Sequence, residues 1–255
     1  MQINKIVKLK DNKYKLFIDN EIIITYDNVI LENDLLYKKN IDDILYKKIL
    51  IDTNFFDVYN KVVKYILKRR RSEKQVKEYL NKFDINNKEK IIFKLKNINL
   101  IDDKEYCRAY INDKIYLSKD GINKIKKDLI KENIPVELIE EELKNIDYII
   151  FDDRLEKLIK KKINNNKKYS NTYLKQKIIN EMINLGYAKD KIINIIEKNI
   201  ESDDQILNKE FDKIYNKLKL KYSTFELENK IKQKLIQKGF CISDINTLLQ
   251  KKEEE

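Results

Sequence analysis

The chain has 255 residues, of which 42% are hydrophobic and 38% are charged, and its formal net charge is +11. This hydrophobic share is enough to build a packed core, so the composition excludes wholesale disorder. Only 3 glycines and 1 proline are available for turns, which argues against a sheet-rich fold and predicts helices joined by short polar links.

The composition also excludes most kinds of catalytic site. No histidine is present, so the commonest general base is missing and Ser-His or Cys-His pairs cannot form. Cys107 and Cys241 are isolated, which excludes a metal site built on cysteine and histidine and predicts two small buried side chains in a reducing compartment. The glycines are too far apart for a phosphate-binding loop. We therefore predict a protein that is not an enzyme and needs no metal and no cofactor.

Hydropathy along the chain predicts no contact with a membrane. No apolar run approaches the roughly 20 residues that a membrane span requires, and Met1 is not followed by the apolar core of a signal peptide. We expect a cytoplasmic protein, and the sequence gives no basis for assigning an oligomeric state.

The first 53 residues are predicted to form a head that differs from the rest of the chain. The segments INKIVKLK, YKLFID and EIIITY favour strands, and Asp11-Asn12-Lys13 and Asp19-Asn20 separate them. Because Asn and Asp tolerate positive φ in tight turns, residues 3–26 are predicted to form an antiparallel meander. Helical spacing returns in NVILENDLLY and IDDILYKKIL.

From residue 54 onward the sequence repeats. In each repeat a Ser or Gly stands four and eight residues before apolar residues. The four sets are Ser72–Val76–Leu80, Gly121–Ile125–Leu129, Ser170–Leu174–Ile178 and Ser223–Leu227–Ile231. Four-residue steps place the apolar residues on one helix face, and the leading Ser or Gly suits an N-cap. Ser72 with Gln75 and Ser223 with Glu226 also match the capping box.

Each of these markers follows a longer amphipathic segment and precedes a shorter apolar one, which predicts tandem three-helix repeats. We place the repeats at 54–101, 102–150, 151–201 and 202–255, after the head at 1–53. The middle helices of the last two repeats end at Gly186 and Gly239, and they are predicted to be one turn longer because the next residues, Tyr187 and Phe240, lie 17 residues past their markers, against 13 for Ile85 and Ile134. A repeat of this size buries little hydrophobic core by itself. Neighbouring repeats should therefore stack into an elongated, curved array. The predicted fold is mainly α, with a small β-rich N-terminal head.

Paired aspartates recur just before the first helix of successive repeats. The pairs are Asp102-Asp103, Asp152-Asp153 and Asp203-Asp204. Carboxylates at such positions cap a helix and complement its positive N-terminus. We interpret them as caps and not as a metal site.

The positive charge is concentrated in two segments. Residues 54–101 hold 13 basic and 5 acidic residues, and residues 151–201 hold 12 and 7, whereas residues 102–150 are net acidic. Basic residues recur before the middle helices. Cations at such a repeating position suit contacts with successive phosphates of a nucleic acid that lies along the array. The candidate contacts are Lys68, Arg69, Arg70, Arg71, Lys74, Lys167 and Lys168, with Lys119, Lys124 and Lys127 second. Cations at a helix end also complement the helix dipole, and that structural interpretation of Arg69–Arg71 stays open.

The 16 tyrosines could stack on nucleic-acid bases. Most of them, including Tyr59, Tyr65, Tyr106 and Tyr110, lie at helical apolar spacing. We therefore assign most of the tyrosines to core packing.

Three segments resemble the RecX family, the regulators of the RecA recombinase. RRRSEKQVKEYLNKF is similar to the family's R-S-x-x-E-L-x-x-x-L helix, and NLIDDKEYCRAYI to its L-D-D-x-x-F-A-x-x-Y-V element. GINKIKKDLIKENIPVELIEEEL is similar to a G-P-x-x-I-x-x-E-L helix followed by a third, hydrophobic helix, with Ile122 in place of the proline. The β-rich head and two further repeats resemble the long form of the family found in Gram-positive bacteria.

The resemblance implies a non-enzymatic modulator of RecA. RecX proteins bind along the groove of RecA filaments on single-stranded DNA, block extension or promote disassembly, and so regulate recombination and DNA repair. The implied partners are the RecA nucleoprotein filament and single- or double-stranded DNA, bound without sequence preference. Two alternatives stay open: a sequence-independent nucleic-acid-binding protein that acts without RecA, and a helical scaffold that binds only proteins.

Overall fold

The computed structural model describes residues 1–200 and 204–253, and these residues form three strands and thirteen helices. The strands are β1 (Ile3–Lys8), β2 (Lys13–Ile18) and β3 (Glu21–Tyr26). The helices are α1 (Asp27–Glu32), α2 (Asp43–Leu67), α3 (Glu73–Leu80), α4 (Lys88–Asn97), α5 (Asp103–Leu117), α6 (Ile122–Lys131), α7 (Val136–Lys144), α8 (Ile149–Asn164), α9 (Asn171–Asn184), α10 (Lys189–Asn199), α11 (Asp204–Leu218), α12 (Thr224–Ile236) and α13 (Ile242–Glu253). The predicted mainly helical fold with an N-terminal sheet is confirmed.

The N-terminal sheet is the predicted antiparallel meander, in the order β1-β2-β3. Its turns depend on positive φ at the predicted residues, with φ of 58° at Asp11, 57° at Asn12 and 45° at Asp19. Leu16 and Ile18 on β2 are fully buried and belong to the hydrophobic core that also holds residues of α1 to α4. Burying each such side chain stabilises the fold by about 1.5–3 kcal/mol.

The middle helices begin as the sequence predicts. The Oγ atoms of Ser72 and Ser170 accept the backbone N–H groups of Gln75 and Tyr173, each at 3.2 Å. The N–H of Ser223 donates to the Glu226 carboxylate at 3.4 Å, and its hydroxyl donates to the same oxygen at 3.1 Å. These bonds satisfy donors that a helix N-terminus leaves free.

The predicted capping box at Ser72 is wrong in one respect. The Gln75 side chain does not bond back to the N-cap backbone, because its amide nitrogen donates to the Tyr106 hydroxyl at 3.3 Å and its amide oxygen is buried without a partner among the described residues. The Ser72 hydroxyl instead donates to Glu132 at 2.8 Å.

The later middle helices are longer, as predicted: α9 has 14 residues and α12 has 13, against 8 in α3 and 10 in α6. Gly186 and Gly239 follow α9 and α12 with φ of 86° each. Glycine adopts this left-handed conformation without the steric penalty that a side chain brings.

In the second unit a joint of one kind connects the start of a middle helix to the end of the next one. The Gly121 N–H donates to the Leu185 carbonyl after α9 at 2.6 Å, and the Ser170 N–H donates to the Lys238 carbonyl after α12 at 3.0 Å. At the first of these joints the backbones are so close that a Cβ on Gly121 would lie 2.7 Å from the Gly186 carbonyl oxygen. The start of α6 therefore requires glycine.

The helices group into two compact units. The first unit comprises residues 1–109 and 132–138, and the second comprises residues 110–131 and 139–255. Helix α2 runs continuously through residues 53 and 54, where the head was predicted to meet the first repeat. The five-part division and the curved array stay predictions.

The two cysteines occupy different environments. Cys107 is fully buried in α5, as expected, whereas Cys241 is exposed just before α13. The prediction of a buried side chain was therefore wrong for Cys241. A hydrogen bond from the Ser243 hydroxyl lowers the pKa of the Cys241 thiol.

Candidate nucleic-acid interface

The arginine cluster, which we define as Lys68, Arg69, Arg70 and Arg71, lies in the first unit, in the link between α2 and α3. Arg69, Arg70 and Arg71 line a groove of about 420 Å³. Asp102 and Glu105 lie in the wall of this groove. Acidic residues therefore face the cations there.

Arg71 is held by aromatic rings of its own unit. Its guanidinium carbon lies 4.0 Å from the centroid of the Tyr65 ring, and Tyr65 stacks on Tyr79 with centroids 4.0 Å apart and planes 6° apart. A cation over an aromatic face is attracted by the ring quadrupole, more strongly when it is desolvated. Arg71 is only partly exposed, so it contributes to the fold more than to a free surface.

Two further predicted cations have acidic neighbours. Arg70 pairs with Glu105 at 3.1 Å, and Lys74 lies 3.9 Å from Glu78. The side chains of Lys68 and Arg69 are exposed and form no ion pair among the described residues. These two residues are the cations of the arginine cluster that remain available to a ligand.

Lys124, in the second unit, is also held within the fold. The Asp120 carboxylate is 5% exposed and accepts hydrogen bonds from Lys114 and Lys124, each at 2.6 Å. Burial opposes ionisation of Asp120, but the hydrogen bonds and charges of the two lysines outweigh it and lower the pKa of this carboxyl. Lys127, one turn further along α6, is exposed.

The lysine groove lies between α8 and α9 in the second unit and has a volume of about 610 Å³. It brings together three of the predicted cations, Lys119, Lys167 and Lys168, although Lys119 is distant from the other two in sequence. All three are exposed and carry no ion pair among the described residues. Lys124 and Lys127 do not line this groove.

Three lysines of the groove were missed by the sequence interpretation. They are Lys161 and Lys162 in the last turn of α8 and Lys177 on α9. The groove thus holds six lysines against one glutamate, Glu181, which pairs with Lys162. The run Lys160-Lys161-Lys162 was a usable signal for two of these lysines, whereas the place of Lys177 in the groove depends on how α9 packs beside α8. Such an excess of cations is suited to a polyanion.

The paired aspartates have different roles. Asp102 caps α5 by accepting the N–H groups of Lys104 and Glu105, at 2.8 and 3.1 Å, as predicted. Asp103 instead accepts the Glu73 N–H at 2.8 Å, and Asp152 lies inside α8 and pairs with Lys191. Asp203 lies outside the described residues. Over residues 1–200 and 204–253, His, Cys, Asp and Glu form no cluster suited to a metal ion.

The same described ranges contain no helix that is both long enough and apolar enough to cross a bilayer.

A small sheet followed by successive helices, with an excess of lysine around one groove, defines a mainly helical protein with a cationic groove. No protein-family model matches the chain. Proteins named Regulatory protein RecX are similar over most of its length. One from Streptococcus agalactiae serotype III is 33% identical over 192 residues, which is 72% of this chain and 74% of that protein. Another, from Bacillus cytotoxicus, is 30% identical and covers 89% of this chain and 86% of its own length. A third, from Streptococcus gordonii, is 29% identical over 98% of both chains.

Two solved structures have the same fold. A crystal structure of regulatory protein RecX aligns with a TM-score of 0.66 at 20% identity, covering 77% of this chain and 98% of that one. RecX from Lactobacillus salivarius aligns with a TM-score of 0.51 at 26% identity, covering 57% and 96%. The chain belongs to the RecX family of regulatory proteins.

Proposed function

We propose that the chain binds RecA filaments on single-stranded DNA and limits their activity, either by blocking extension or by promoting disassembly. Membership of the RecX family supports this proposal, as does the sequence resemblance described above. The observation that carries it in this chain is the lysine groove. Six lysines against one glutamate complement the phosphates of a nucleoprotein filament. Such a protein would regulate recombination and DNA repair without catalysis of its own.

The predicted contact residues differ in whether their side chains are exposed to a ligand or already contact other groups of the protein. Lys119, Lys167 and Lys168, joined by Lys161, are the leading candidates for phosphate contacts, because they are exposed around one groove. Lys68, Arg69 and Lys127 are exposed candidates outside it. Arg70, Arg71, Lys74 and Lys124 already contact groups of their own unit, and binding through them would require those contacts to break.

ATP hydrolysis by RecA on preformed single-strand filaments tests the proposal. Substoichiometric amounts of the chain should lower the hydrolysis rate progressively, with RecA from the same organism, and the chain alone should hydrolyse no ATP. An unchanged rate over a range of salt and protein concentrations would contradict the proposed function.

A matched pair of variants tests the site. The double variant Lys167→Glu, Lys168→Glu should inhibit RecA more weakly than the unchanged chain. The double variant Lys157→Glu, Lys189→Glu makes the same change in net charge at lysines of the same unit that do not line the groove, and it should inhibit normally. Equal inhibition by both variants would contradict the lysine groove as the filament contact.

The groove also favours a second candidate function, sequence-independent nucleic-acid binding without RecA. Several phosphate contacts release several counterions, so the affinity would fall steeply with salt. A chain that binds DNA in this way but leaves RecA hydrolysis unchanged would support this candidate over the filament modulator.

A further inference from the structure

Two stacked tyrosines lie beside the lysine groove. Tyr169 and Tyr173 have ring centroids 4.7 Å apart and planes 17° apart. Tyr169 lines the lysine groove, and both tyrosines line a second groove of about 450 Å³ between the start of α9 and helices α11 and α12. The two grooves therefore share a wall, and that wall is aromatic.

The second groove is also rich in lysine. Its cations are Lys213, Lys217, Lys234 and Lys238, and its acidic residue is Glu210. Glu210 is buried and pairs with Lys213 and Lys238. Lys217 and Lys234 are exposed and have no ion pair among the described residues. Free cations thus lie on both sides of the tyrosine pair.

The position of Tyr173 is fixed by the joint between α9 and α12. The Ser170 N–H donates to the Lys238 carbonyl at 3.0 Å, and a Cβ on Gly239 would lie only 2.6 Å from the Cβ of Tyr173. The Tyr173 side chain is nevertheless 42% exposed. A held but accessible ring loses little conformational entropy when a ligand stacks on it.

We propose that a single-stranded nucleic acid passes from the lysine groove to the second groove across the Tyr169–Tyr173 stack. The exposed lysines of both grooves contact its phosphates, and an unpaired base stacks on the accessible part of Tyr173. Lysines alone fit any polyanion, whereas an aromatic ring between two runs of cations suits a chain that has both phosphates and bases. This inference deepens the proposed function, since the filament that it assumes contains single-stranded DNA.

The absence of tryptophan from the chain makes a direct test available. In the Tyr173→Trp variant the only indole reports on this site, and its fluorescence should be quenched when a short oligo(dT) is added at low salt. Tyr148→Trp is the matched control, because Tyr148 has a similar exposure of 44% and does not line either groove. Its fluorescence should not change.

An abasic oligonucleotide of the same length separates stacking from charge. It should bind more weakly than oligo(dT) and leave the indole of Tyr173→Trp unquenched, and a duplex of equal length should also leave it unquenched. Tyr173→Ser should lower the affinity for oligo(dT) by about tenfold or more, whereas Tyr173→Phe should retain it. The melting temperature of each variant checks that the fold is kept.

Several results would overturn the inference. Binding of oligo(dT) without quenching in Tyr173→Trp, or equal quenching by the abasic strand, would show that this position does not contact a base. No binding of any of these polymers at low salt would also overturn it and would favour an acidic protein surface as the ligand of the lysines. Because this assay contains no RecA, its failure is distinct from a failure of the chain to inhibit RecA.

Discussion

The arginine cluster of the first unit and the lysine groove of the second are both strongly basic in sequence, but they differ in how many of their cations contact other groups of the protein. Arg70 and Arg71 contact Glu105 and Tyr65, whereas Lys68 and Arg69 form no such contact within the part of the chain that the structure describes. In the lysine groove most cations are exposed, and the groove has one acidic residue among its lining side chains. Guanidinium groups form planar stacks and paired hydrogen bonds, whereas lysine acts as a hydrated point charge. Charge density in a sequence therefore does not tell which cations are available to a ligand.

The largest expected effect is on the salt dependence of binding to single-stranded DNA. The double variant Lys167→Glu, Lys168→Glu should bind at least roughly tenfold more weakly at low salt, because fewer DNA phosphates are neutralised. Its slope of log affinity against log salt should become shallower by about 0.7 for each phosphate that the variant no longer neutralises. Fluorescence anisotropy of a labelled oligonucleotide measures both quantities.

The charge-matched variant for this measurement is Lys68→Glu, Arg69→Glu in the arginine cluster. It should change the slope less, because Asp102 and Glu105 line the groove beside Arg69 and repel a phosphate there. If it lowers the slope as much as the lysine variant does, the two regions contribute equally and the contrast between them is wrong.

A substitution of Asp120 tests whether the contact between Asp120 and Lys124 stabilises the folded protein. Asp120→Asn should destabilise the protein by about 1.5–3 kcal/mol at neutral pH, since hydrogen bonds between charged groups are removed. The pKa of Asp120 is lowered in the folded state, so its contribution is full above the unfolded pKa of about 3.9 and is lost as the pH falls through the folded pKa. Urea denaturation at a series of pH values should show this acid-dependent loss in the unchanged chain and a smaller one in the variant. An identical pH dependence in both proteins would contradict the assignment.

Substitutions of Arg71 and Arg69 compare a cation of the arginine cluster that is held by an aromatic ring with one that is exposed. Arg71→Ala should destabilise the fold by about 1–2 kcal/mol, because it removes a partly buried cation from the face of Tyr65. Arg69→Ala should change the stability by no more than about 0.5 kcal/mol, as expected of an exposed surface residue. Chemical denaturation of the two variants side by side makes the comparison, and equal free energies of unfolding would refute it.

The smallest expected effect is at Arg70. Its pair with Glu105 is largely exposed, and such pairs contribute about 0.2–1 kcal/mol. A double-mutant cycle with Arg70→Ala and Glu105→Ala should give a coupling energy in this range that decreases with added salt. A larger, salt-independent value would mean that Arg70 is as firmly held as Arg71.

Local patterns were enough to predict the features that depend on neighbouring residues. The turns at Asp11 and Asp19, the caps at Ser72 and Ser170 and the longer α9 and α12 all follow from residues a few positions apart. The contacts of Arg71 with Tyr65 and of Gln75 with Tyr106 depend on how helices pack, and no spacing rule encodes that. For the same reason the sequence suggested Lys119, Lys167 and Lys168 but not their meeting with Lys161 and Lys177 in one groove.

The joint between successive middle helices has a consequence for how the family changes in length. Its hydrogen bonds join backbone groups, as between Gly121 and Leu185 and between Ser170 and Lys238, so it demands little of the rest of the sequence. A duplicated or deleted repeat of about fifty codons would carry one half of the joint at each end of its middle helix, so the neighbouring repeats could form the same contacts. We therefore expect relatives to differ by whole repeats more often than by fragments of them. The few positions where only glycine fits, such as Gly186, should mark the ends of the middle helices that form these joints.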